Sequence, residues 1–287
     1  MIYFVKFLQF IYRIIFLIPG RIPLYFMWLG AQVTYLIVKL TPVRGETANN
    51  FRLFFPTRNC EQLADKLLKN TAFAIFEILC TPFFRPKHKR EINEVINIEN
   101  VEEGLKEGKG VLMPSIHSGN YEIVPTALAH KNFKMTGILR ATEDPLFEIV
   151  NKARSANGMK LVNVLEKDMY QKTLKALKEN NIICTLLDTG ALESKHEMMP
   201  LLGQQVPVAT GWLTLAQRSG CFVVPTIIWK EGSKNHIKYF DKFQVTSSNR
   251  LEQMERLRKA YEDFIKEKPE QWAIFLNSYE VKRMVGQ

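Results

Sequence analysis

Residues 110–122 read Gly110-Val111-Leu112-Met113-Pro114-Ser115-Ile116-His117-Ser118-Gly119-Asn120-Tyr121-Glu122 and contain the clearest fold signal of the chain. The first half of this stretch is a short apolar run, which is typical of a buried strand in a parallel sheet. Gly119 and Asn120 permit a tight turn, and the residues after them predict a helix. The stretch therefore predicts a strand–loop–helix unit. It places His117 at the carboxyl end of the strand, where α/β sheets bind their ligands.

His117 and Glu122 form a candidate catalytic pair. In the first helical turn, the Glu122 carboxylate would hydrogen-bond one imidazole nitrogen and leave the other free as a base. His236 and Asp241 have the same spacing, but they lie in a segment that alternates apolar and polar residues. That alternation predicts a half-exposed strand, in which the two side chains point to opposite faces. From the residues alone, two interpretations of His117 stay open: a catalytic base, or a structural histidine near a helix start.

From residue 92 onward, apolar runs of strand length alternate with helical patterns. The predicted strands are Val95–Ile98, Val111–Ser115, Lys134–Leu139, Lys160–Val164, Ile182–Leu187, Phe222–Ile228 and Ile237–Phe243. The predicted helices are Asn120–His130, Pro145–Asn157, Asp168–Asn180, Val208–Ser219 and Asn249–Glu267, with a further helix before them at Cys60–Cys80. This alternation predicts the α/β class, with a mainly parallel sheet covered by helices on both faces, an αβα sandwich.

The charge balance indicates an anionic partner. The 287 residues include 39 Lys and Arg against 29 Asp and Glu, a formal net charge of +10. No helix-turn-helix, zinc-finger or RNA-recognition signature is present, so nucleic acid is not predicted as a partner. An anionic membrane surface, a phosphorylated lipid and an acidic carrier protein fit the apolar N-terminus better. A basic, solvated surface without a partner is the alternative.

The cysteines show no paired spacing; they are Cys60, Cys80, Cys184 and Cys221. The sequence also lacks a zinc motif, a Gly-x-Ser-x-Gly elbow and a phosphate-binding glycine loop. We therefore predict no metal site and no bound cofactor. Unpaired cysteines agree with a reducing compartment.

The N-terminal residues 1–40 are apolar and aromatic, and the absence of any linker predicts that they precede a single catalytic domain, residues 41–287. The basic residues that interrupt them are Lys6, Arg13, Arg21 and Lys39. The longest charge-free stretch, Ile22–Val38, has 17 residues, near the short limit for a spanning helix. No signal-peptide cleavage pattern follows it. Either a short spanning helix or helices lying in the membrane interface would satisfy this pattern.

Further motifs follow one another in an order that resembles a known family. They are Asn49-Asn50-Phe51-Arg52-Leu53-Phe54-Phe55-Pro56, Gly108-Lys109-Gly110, His117-Ser118-Gly119-Asn120-Tyr121-Glu122, Gly137-Ile138-Leu139-Arg140, Ala153-Arg154-Ser155-Ala156-Asn157-Gly158, Asp188-Thr189-Gly190, Met199-Pro200-Leu201-Leu202-Gly203 and Pro269-Glu270-Gln271-Trp272. The ordered set resembles the late acyltransferases of bacterial lipid A biosynthesis, over nearly the whole chain.

The resemblance implies a glycerol-3-phosphate-acyltransferase-like fold and an enzyme at the inner (cytoplasmic) membrane whose catalytic domain faces the cytoplasm. It implies transfer of a fatty acyl chain from an acyl carrier protein thioester, or from coenzyme A, to a hydroxyl of a lipid or glycolipid acceptor such as a lipid A precursor. The thioester is a co-substrate, so no cofactor is implied. His117 would be the base that activates the acceptor hydroxyl, and Glu122 its carboxylate partner.

The substrate site is expected to include Gly119, Asn120, Arg140, Arg154 and Asp188. Backbone N–H groups around Gly119 and Asn120, at a helix start, would contact an oxyanion or a phosphate. Arg140 and Asp188 each lie at the end of a predicted strand, so from the residues alone they are expected to pair with each other or to cap neighbouring helices. The resemblance implies instead that both of them, with Arg154, contact substrate.

Two departures from the family pattern leave the acceptor open. Gly190 stands where the family usually has a second acidic residue, and the segment after Trp272 lacks the family's Trp, His and Arg residues. Alternative acceptors are a phospholipid, an aminolipid or a polyene lipid. A non-catalytic lipid-binding relative is the alternative from another class of protein.

Overall fold

Residues 111–115 form an inner strand of a six-stranded sheet. The computed structural model describes residues 2–128, 131–140, 145–189 and 196–286. Its strands are β1 (Asn93–Ile96), β2 (Val111–Ser115), β3 (Met135–Leu139), β4 (Met159–Asn163), β5 (Ile182–Leu186), β6 (His196–Leu201), β7 (Gln204–Ala209), β8 (Phe222–Val223), β9 (Thr226–Glu231), β10 (Lys234–Tyr239) and β11 (Phe243–Gln244). The α/β class is therefore confirmed.

The α-helices lie between and around these strands. They are α1 (Ile2–Ile15), α2 (Ile22–Lys39), α3 (Val43–Phe54), α4 (Cys60–Cys80), α5 (Pro86–Ile92), α6 (Glu99–Lys106), α7 (Val124–Leu128), α8 (Pro145–Ser155), α9 (Met169–Lys178), α10 (Gly211–Ser219), α11 (Arg250–Glu267) and α12 (Ser278–Met284). Short 3₁₀ helices add Thr81–Phe83, Tyr121–Ile123, Pro269–Gln271 and Ala273–Leu276.

The larger sheet has the strand order β11-β8-β2-β5-β3-β4. All of its pairs are parallel except β11 with β8. A second sheet has the order β1-β10-β9, with β10 antiparallel to β9. β6 and β7 form a separate antiparallel hairpin. The sandwich arrangement, with helices on both faces of one sheet, stays a prediction.

β2 contributes to two hydrophobic clusters, because successive side chains of a strand point to opposite faces. Val111 and Met113 belong to one cluster, and Leu112 belongs to the other, together with Ile116 just beyond the strand. Full burial on both faces explains why this segment is a continuous apolar run.

Two predicted strands prove to be interrupted. Phe222–Ile228 divides into β8 and β9 around Pro225, which lacks the backbone N–H that a ladder needs. As a result, β8 pairs with β2 whereas β9 joins the second sheet. Ile237–Phe243 likewise divides into β10 and β11.

The helix predicted at Val208–Ser219 begins only at Gly211, because residues 204–209 form a strand of the β6–β7 hairpin. The two-residue turn of this hairpin uses Leu202 and Gly203, both with positive φ, of 53° and 79°. Leucine is a rare residue at such a position, so the usual Asn-Gly turn signal is absent. The helix predicted at Asn120–His130 is a 3₁₀ turn followed by the short α7, and its last two residues lie outside the described part of the chain.

α1 and α2, which we call the N-terminal helix pair, bury one side and expose the other. Leu24, Met27 and Ala31 of α2 are fully buried and join the cluster that contains Phe76 of α4. Large apolar side chains on the outer side are exposed: Tyr3, Phe4, Phe7, Phe10, Ile14, Ile22, Tyr25, Phe26, Leu29, Val33, Leu36 and Ile37. By length and composition α2 is able to cross a membrane, although 22% of its apolar window is buried within the protein.

Candidate active site

The parallel pairing of β2 with β5 brings His117 and Asp188 together. Ser115 pairs with Leu186 at the carboxyl ends of these strands, and each of the two polar residues follows two positions later. The His117 Nδ1 atom lies 2.7 Å from Asp188 Oδ1. The backbone N–H of His117 donates to Asp188 Oδ2 over 2.8 Å. The carboxylate therefore fixes both the ring and the backbone of the histidine.

Trp272 supplies a third hydrogen bond to the Asp188 carboxylate, from its indole Nε1–H to Oδ2 over 2.7 Å. The same C-terminal segment contacts the His117 loop through its backbone. The N–H of Ala273 donates to the His117 carbonyl, and the N–H of Gly119 donates to the Gln271 carbonyl. The motif at residues 269–272 thus closes over the His117 loop.

Opposing effects act on the pKa values of this pair. Burial disfavours the imidazolium, but the charge and hydrogen bond of Asp188 outweigh it and raise the pKa of His117 above 6.5, with a further contribution from Glu122. Burial opposes ionisation of Asp188 as well. The charge of His117 and the hydrogen bonds from His117 and Trp272 nevertheless hold the pKa of the Asp188 carboxyl below its ordinary value. The pair is arranged to stabilise a protonated His117 beside an ionised Asp188.

Glu122 lies near this pair but contacts Arg154. The Arg154 Nε–H donates to Glu122 Oε2 over 2.7 Å, and Nη2 donates to Oε1. Arg154 Nη1 also donates to Asn151 Oδ1. The sequence pattern predicted the Glu122 carboxylate on an imidazole nitrogen, whereas in the structure the Nδ1 partner is Asp188. The Asp188 carboxylate contacts His117 and Trp272, and its contact with substrate stays a prediction.

Gly119 and Asn120 form the turn after His117. Gly119 has φ of +54°, and a Cβ atom there would stand 2.8 Å from the Ile228 carbonyl oxygen, so the turn needs glycine. Its N–H is engaged by Gln271, and the Asn120 amide donates to Glu77 Oε2 over 2.7 Å. Arg140 is exposed immediately after β3, whereas Asn120 is almost fully buried. Gly190 lies outside the described residues.

An apolar cavity opens beside the His117 loop on one face of the larger sheet. The space between its lining residues is about 590 Å³, part of which is open to solvent. Its walls come from β2 to β5, β9 and the residues after His117. Most of them are apolar, including Met113, Val124, Gly137, Leu139, Met159 and Leu161. Glu122 and Arg154 also line it and supply its charged side chains.

Three contacts in this region were not predicted. The hydrogen bonds of Trp272 to Asp188 and of Glu77 to Asn120 join residues far apart in sequence, and Lys230 forms an ion pair with Glu77. The sequence contains one signal that could have indicated the role of Glu77, because this acidic residue lies in an otherwise apolar stretch of α4. Among the residues that the structure describes, no group of His, Cys, Asp and Glu side chains is placed to hold a metal ion.

The fold and the site together define an α/β protein with an oriented histidine–carboxylate pair beside an apolar cavity. The chain belongs to the bacterial lipid A biosynthesis acyltransferase family, whose model matches residues 2–280. This match confirms the resemblance and identifies the protein as an enzyme that transfers acyl groups. No curated protein matches the chain.

Proposed function

We propose that this protein transfers a fatty acyl chain from an acyl carrier protein thioester to a hydroxyl of a lipid A precursor. The observation that carries the proposal is the hydrogen-bonded His117–Asp188 pair, whose imidazole contacts Tyr121 in the wall of the apolar cavity, in a chain of this family. Coenzyme A is the alternative carrier of the thioester. No cofactor takes part, because the thioester itself activates the acyl group.

In the proposed reaction, the acceptor oxygen attacks the thioester carbonyl directly. Asp188 accepts from His117 Nδ1–H and so leaves Nε2 unprotonated and able to take the hydroxyl proton. As the new C–O bond forms and the C–S bond breaks, the imidazolium is stabilised by Asp188 and by the nearby Glu122. The proton then passes to the departing thiolate, which restores His117.

The apolar cavity is the proposed site of the donor acyl chain. A thioester carbonyl at its mouth would lie near the Glu122–Arg154 pair, and the Arg154 guanidinium would favour negative charge developing on the carbonyl oxygen. Arg140 follows Leu139, which lines the cavity, and is exposed, so we assign it to an anionic part of the substrate or of the carrier. The Asn120 backbone N–H is proposed to face the same oxyanion.

The acyl-chain assignment predicts a change in donor preference in Gly137→Val. Gly137 lies in β3 and lines the cavity, and a Cβ atom there would approach the Met159 sulfur at 2.9 Å. The added side chain should shorten the cavity and shift preference toward donors with fewer carbons. The kcat/KM ratio for long and short acyl donors measures this shift. Gly45→Val is the control, because a Cβ atom at Gly45 meets no neighbour within 4 Å. Equal donor preference in both variants would contradict the assignment.

We further propose that the N-terminal helix pair holds the enzyme at the cytoplasmic face of the inner membrane by lying in the interface. α2 makes its closest packing against α4, whose charged residues Glu61, Asp65, Lys66 and Lys69 do not suit a membrane interior. We therefore favour an interfacial position of α2 over a spanning one. Residues 1–45 contain five basic and no acidic residues, which suits anionic headgroups.

Interfacial attachment predicts release from membranes by surface substitutions. Deletion of residues 1–40 would remove fully buried core side chains, so substitution of exposed ones is the cleaner test. Phe7→Ser/Leu29→Ser should shift the protein from the membrane pellet to the supernatant and lower its rate on bilayer-embedded acceptor. Leu165→Ser/Leu251→Ser replaces two similarly exposed residues outside the helix pair and should change neither. Alkaline carbonate should extract the wild type at least in part; full retention would show a spanning helix.

The acceptor is tested by mass spectrometry of total lipids from cells with and without the protein. The proposal expects an added acyl chain on lipid A precursors. The same mass increase on a phospholipid, an aminolipid or a polyene lipid would keep the chemistry and change the acceptor. Turnover of the purified enzyme with acyl carrier protein and coenzyme A thioesters identifies the donor. A basic enzyme should prefer the acidic carrier, and rising salt should weaken that preference.

A further inference from the structure

A buried ion pair lies behind the turn that follows His117. Glu77 of α4 is fully buried, and Lys230 of β9 is 6% exposed. Lys230 Nζ donates to Glu77 Oε1. The desolvation of two charges offsets most of their attraction, so apolar residues of similar volume often stabilise a fold equally well. The pair therefore calls for an explanation other than stability.

The second oxygen of Glu77 connects the ion pair to the active-site loop. Glu77 Oε2 accepts hydrogen bonds from two amides, those of Asn120 over 2.7 Å and Asn235 over 2.8 Å. Asn120 is 2% exposed and lies three residues after His117, whereas Asn235 lies in β10 and is fully buried. One acceptor oxygen thus holds both a loop residue and a sheet residue.

Lys230 reaches the same loop by a second route. Its backbone N–H donates to Gln271 Oε1 over 2.9 Å, and its carbonyl accepts from Gln271 Nε2 over 3.0 Å. The Gln271 carbonyl in turn accepts from the N–H of Gly119 over 2.8 Å. The Ser118 hydroxyl accepts from the backbone N–H of Ile228 over 3.2 Å. Each of the three residues after His117 is therefore hydrogen-bonded to another element. Ser118 contacts β9, Gly119 contacts Gln271, and Asn120 contacts α4.

We propose that Glu77 and Lys230 are positioning residues that hold the turn at Ser118–Asn120 and thereby set the placement of His117 against Asp188 and the acceptor hydroxyl. The inference rests on the proposed role of His117 as the base. Neither residue lines the apolar cavity, so their effect on catalysis passes through Asn120 and Gln271. A shift of the imidazole by about 1 Å is sufficient to lower a rate by about 10²-fold.

Asn120→Ala and Asn235→Ala form a matched pair of tests. Each removes one amide donor from the same oxygen of Glu77, and neither leaves a charge unpaired. Asn235 Nδ2 also donates to the Ile92 carbonyl over 3.4 Å, so Asn235→Ala should lose at least as much thermal stability as Asn120→Ala. Asn120→Ala should nevertheless lower kcat by about 10- to 10²-fold with little change in the donor KM, whereas Asn235→Ala should keep the wild-type kcat. Equal effects on kcat in the two variants would overturn the proposal.

A second pair of variants separates the hydrogen bond from the charges. Glu77→Gln/Lys230→Met and Glu77→Leu/Lys230→Met both remove the two charges together, which avoids a lone buried ion. The glutamine side chain still accepts from Asn120, and the leucine side chain does not. We expect the glutamine variant to keep most of its kcat and the leucine variant to lose it. Equal kcat in the two variants would contradict positioning through Asn120.

Nuclear magnetic resonance of labelled histidine gives a readout that does not depend on turnover. The chain has five histidines, and the His117 signal is assigned by its loss in His117→Ala. In Asn120→Ala the His117 signal and its titration should shift, while the others stay unchanged. In Asn235→Ala the His117 signal should not shift, although that of the adjacent His236 will. An unmoved His117 signal in Asn120→Ala would overturn the inference. A shifted signal in a protein whose wild type transfers no acyl group would support the positioning and contradict only the proposed function.

Discussion

Replacement of His117 by alanine is expected to lower acyl transfer by about 10²- to 10⁴-fold, the usual contribution of a general base. The variant removes the base but leaves a folded protein, because the imidazole is partly exposed and contacts Asp188 rather than filling the core. Turnover of purified variant and wild type with the same donor and acceptor measures the loss, and thermal unfolding checks the fold.

His236→Ala is the control for this prediction. His236 has the same spacing to an acidic residue as His117 has to Glu122, but it lies in β10, where its ring stacks on Trp229. The substitution should leave kcat and KM unchanged. Near wild-type activity in His117→Ala would exclude the proposed mechanism, and a loss in both variants would indicate a general effect on folding.

The strand that precedes His117 was predictable, because a strand buried on both faces appears in the sequence as a continuous apolar run. Val111–Ser115 has the same limits in the structure as in the prediction, and α4 is also found where predicted. His117 was expected at the carboxyl end of this strand, and it lies there. Local patterns suffice for such features, since each depends on residues adjacent in the chain.

The partner of His117 was not predictable from spacing. Glu122 is near in sequence, but Asp188 is near in space because β5 pairs with β2 in a register that the sequence does not state. Trp272 reaches Asp188 across 84 positions of the chain, and Glu77 reaches Asn120 across 43. Contacts of this kind follow from the order of strands and from the packing of α4, which only the three-dimensional structure supplies.

The division of one predicted strand at Pro225 shows a second limit of prediction from the sequence. The apolar pattern continues through Phe222–Ile228, yet one proline transfers the chain from the larger sheet to the second one. This transfer places Ile228 and Lys230 beside the His117 loop, where they hold Ser118 and Gln271. An apolar pattern predicts that a strand is buried, but it does not predict which sheet the strand joins.

Asp188→Asn is expected to lower kcat by about 10⁴-fold, the loss found for the same carboxylate-to-amide change in a catalytic triad. The asparagine keeps the size and can still accept from Trp272, so stability should change little. Its amide group cannot hold the Nδ1–H tautomer as the carboxylate does. The proton then favours Nε2, and the ring no longer acts as a base toward the acceptor hydroxyl.

The loss of the Asp188 carboxylate should also change the pH dependence of kcat/KM in a defined direction. The active form has a neutral His117, so the wild-type rate falls as the pH drops below the pKa of His117, which lies above 6.5. Asp188 is the main cause of that elevation, and burial acts in the opposite direction. In Asp188→Asn the remaining activity should therefore fall off at a lower pH than in the wild type. Asp241→Asn, which changes an exposed aspartate, should alter neither the rate nor the profile.

Glu122→Gln completes the comparison of the two carboxylates near His117. Its rate should also fall sharply, because it leaves Arg154 without its ionic partner at the cavity wall and removes a charge that supports the imidazolium. In this variant His117 Nδ1 keeps its contact with Asp188, however. The low-pH fall in the rate of Glu122→Gln should therefore move less, relative to the wild type, than that of Asp188→Asn. The full pH–rate profiles of both variants, measured with one donor, decide between the carboxylates. A larger displacement in Glu122→Gln would assign the orienting role to Glu122 and refute that role for Asp188.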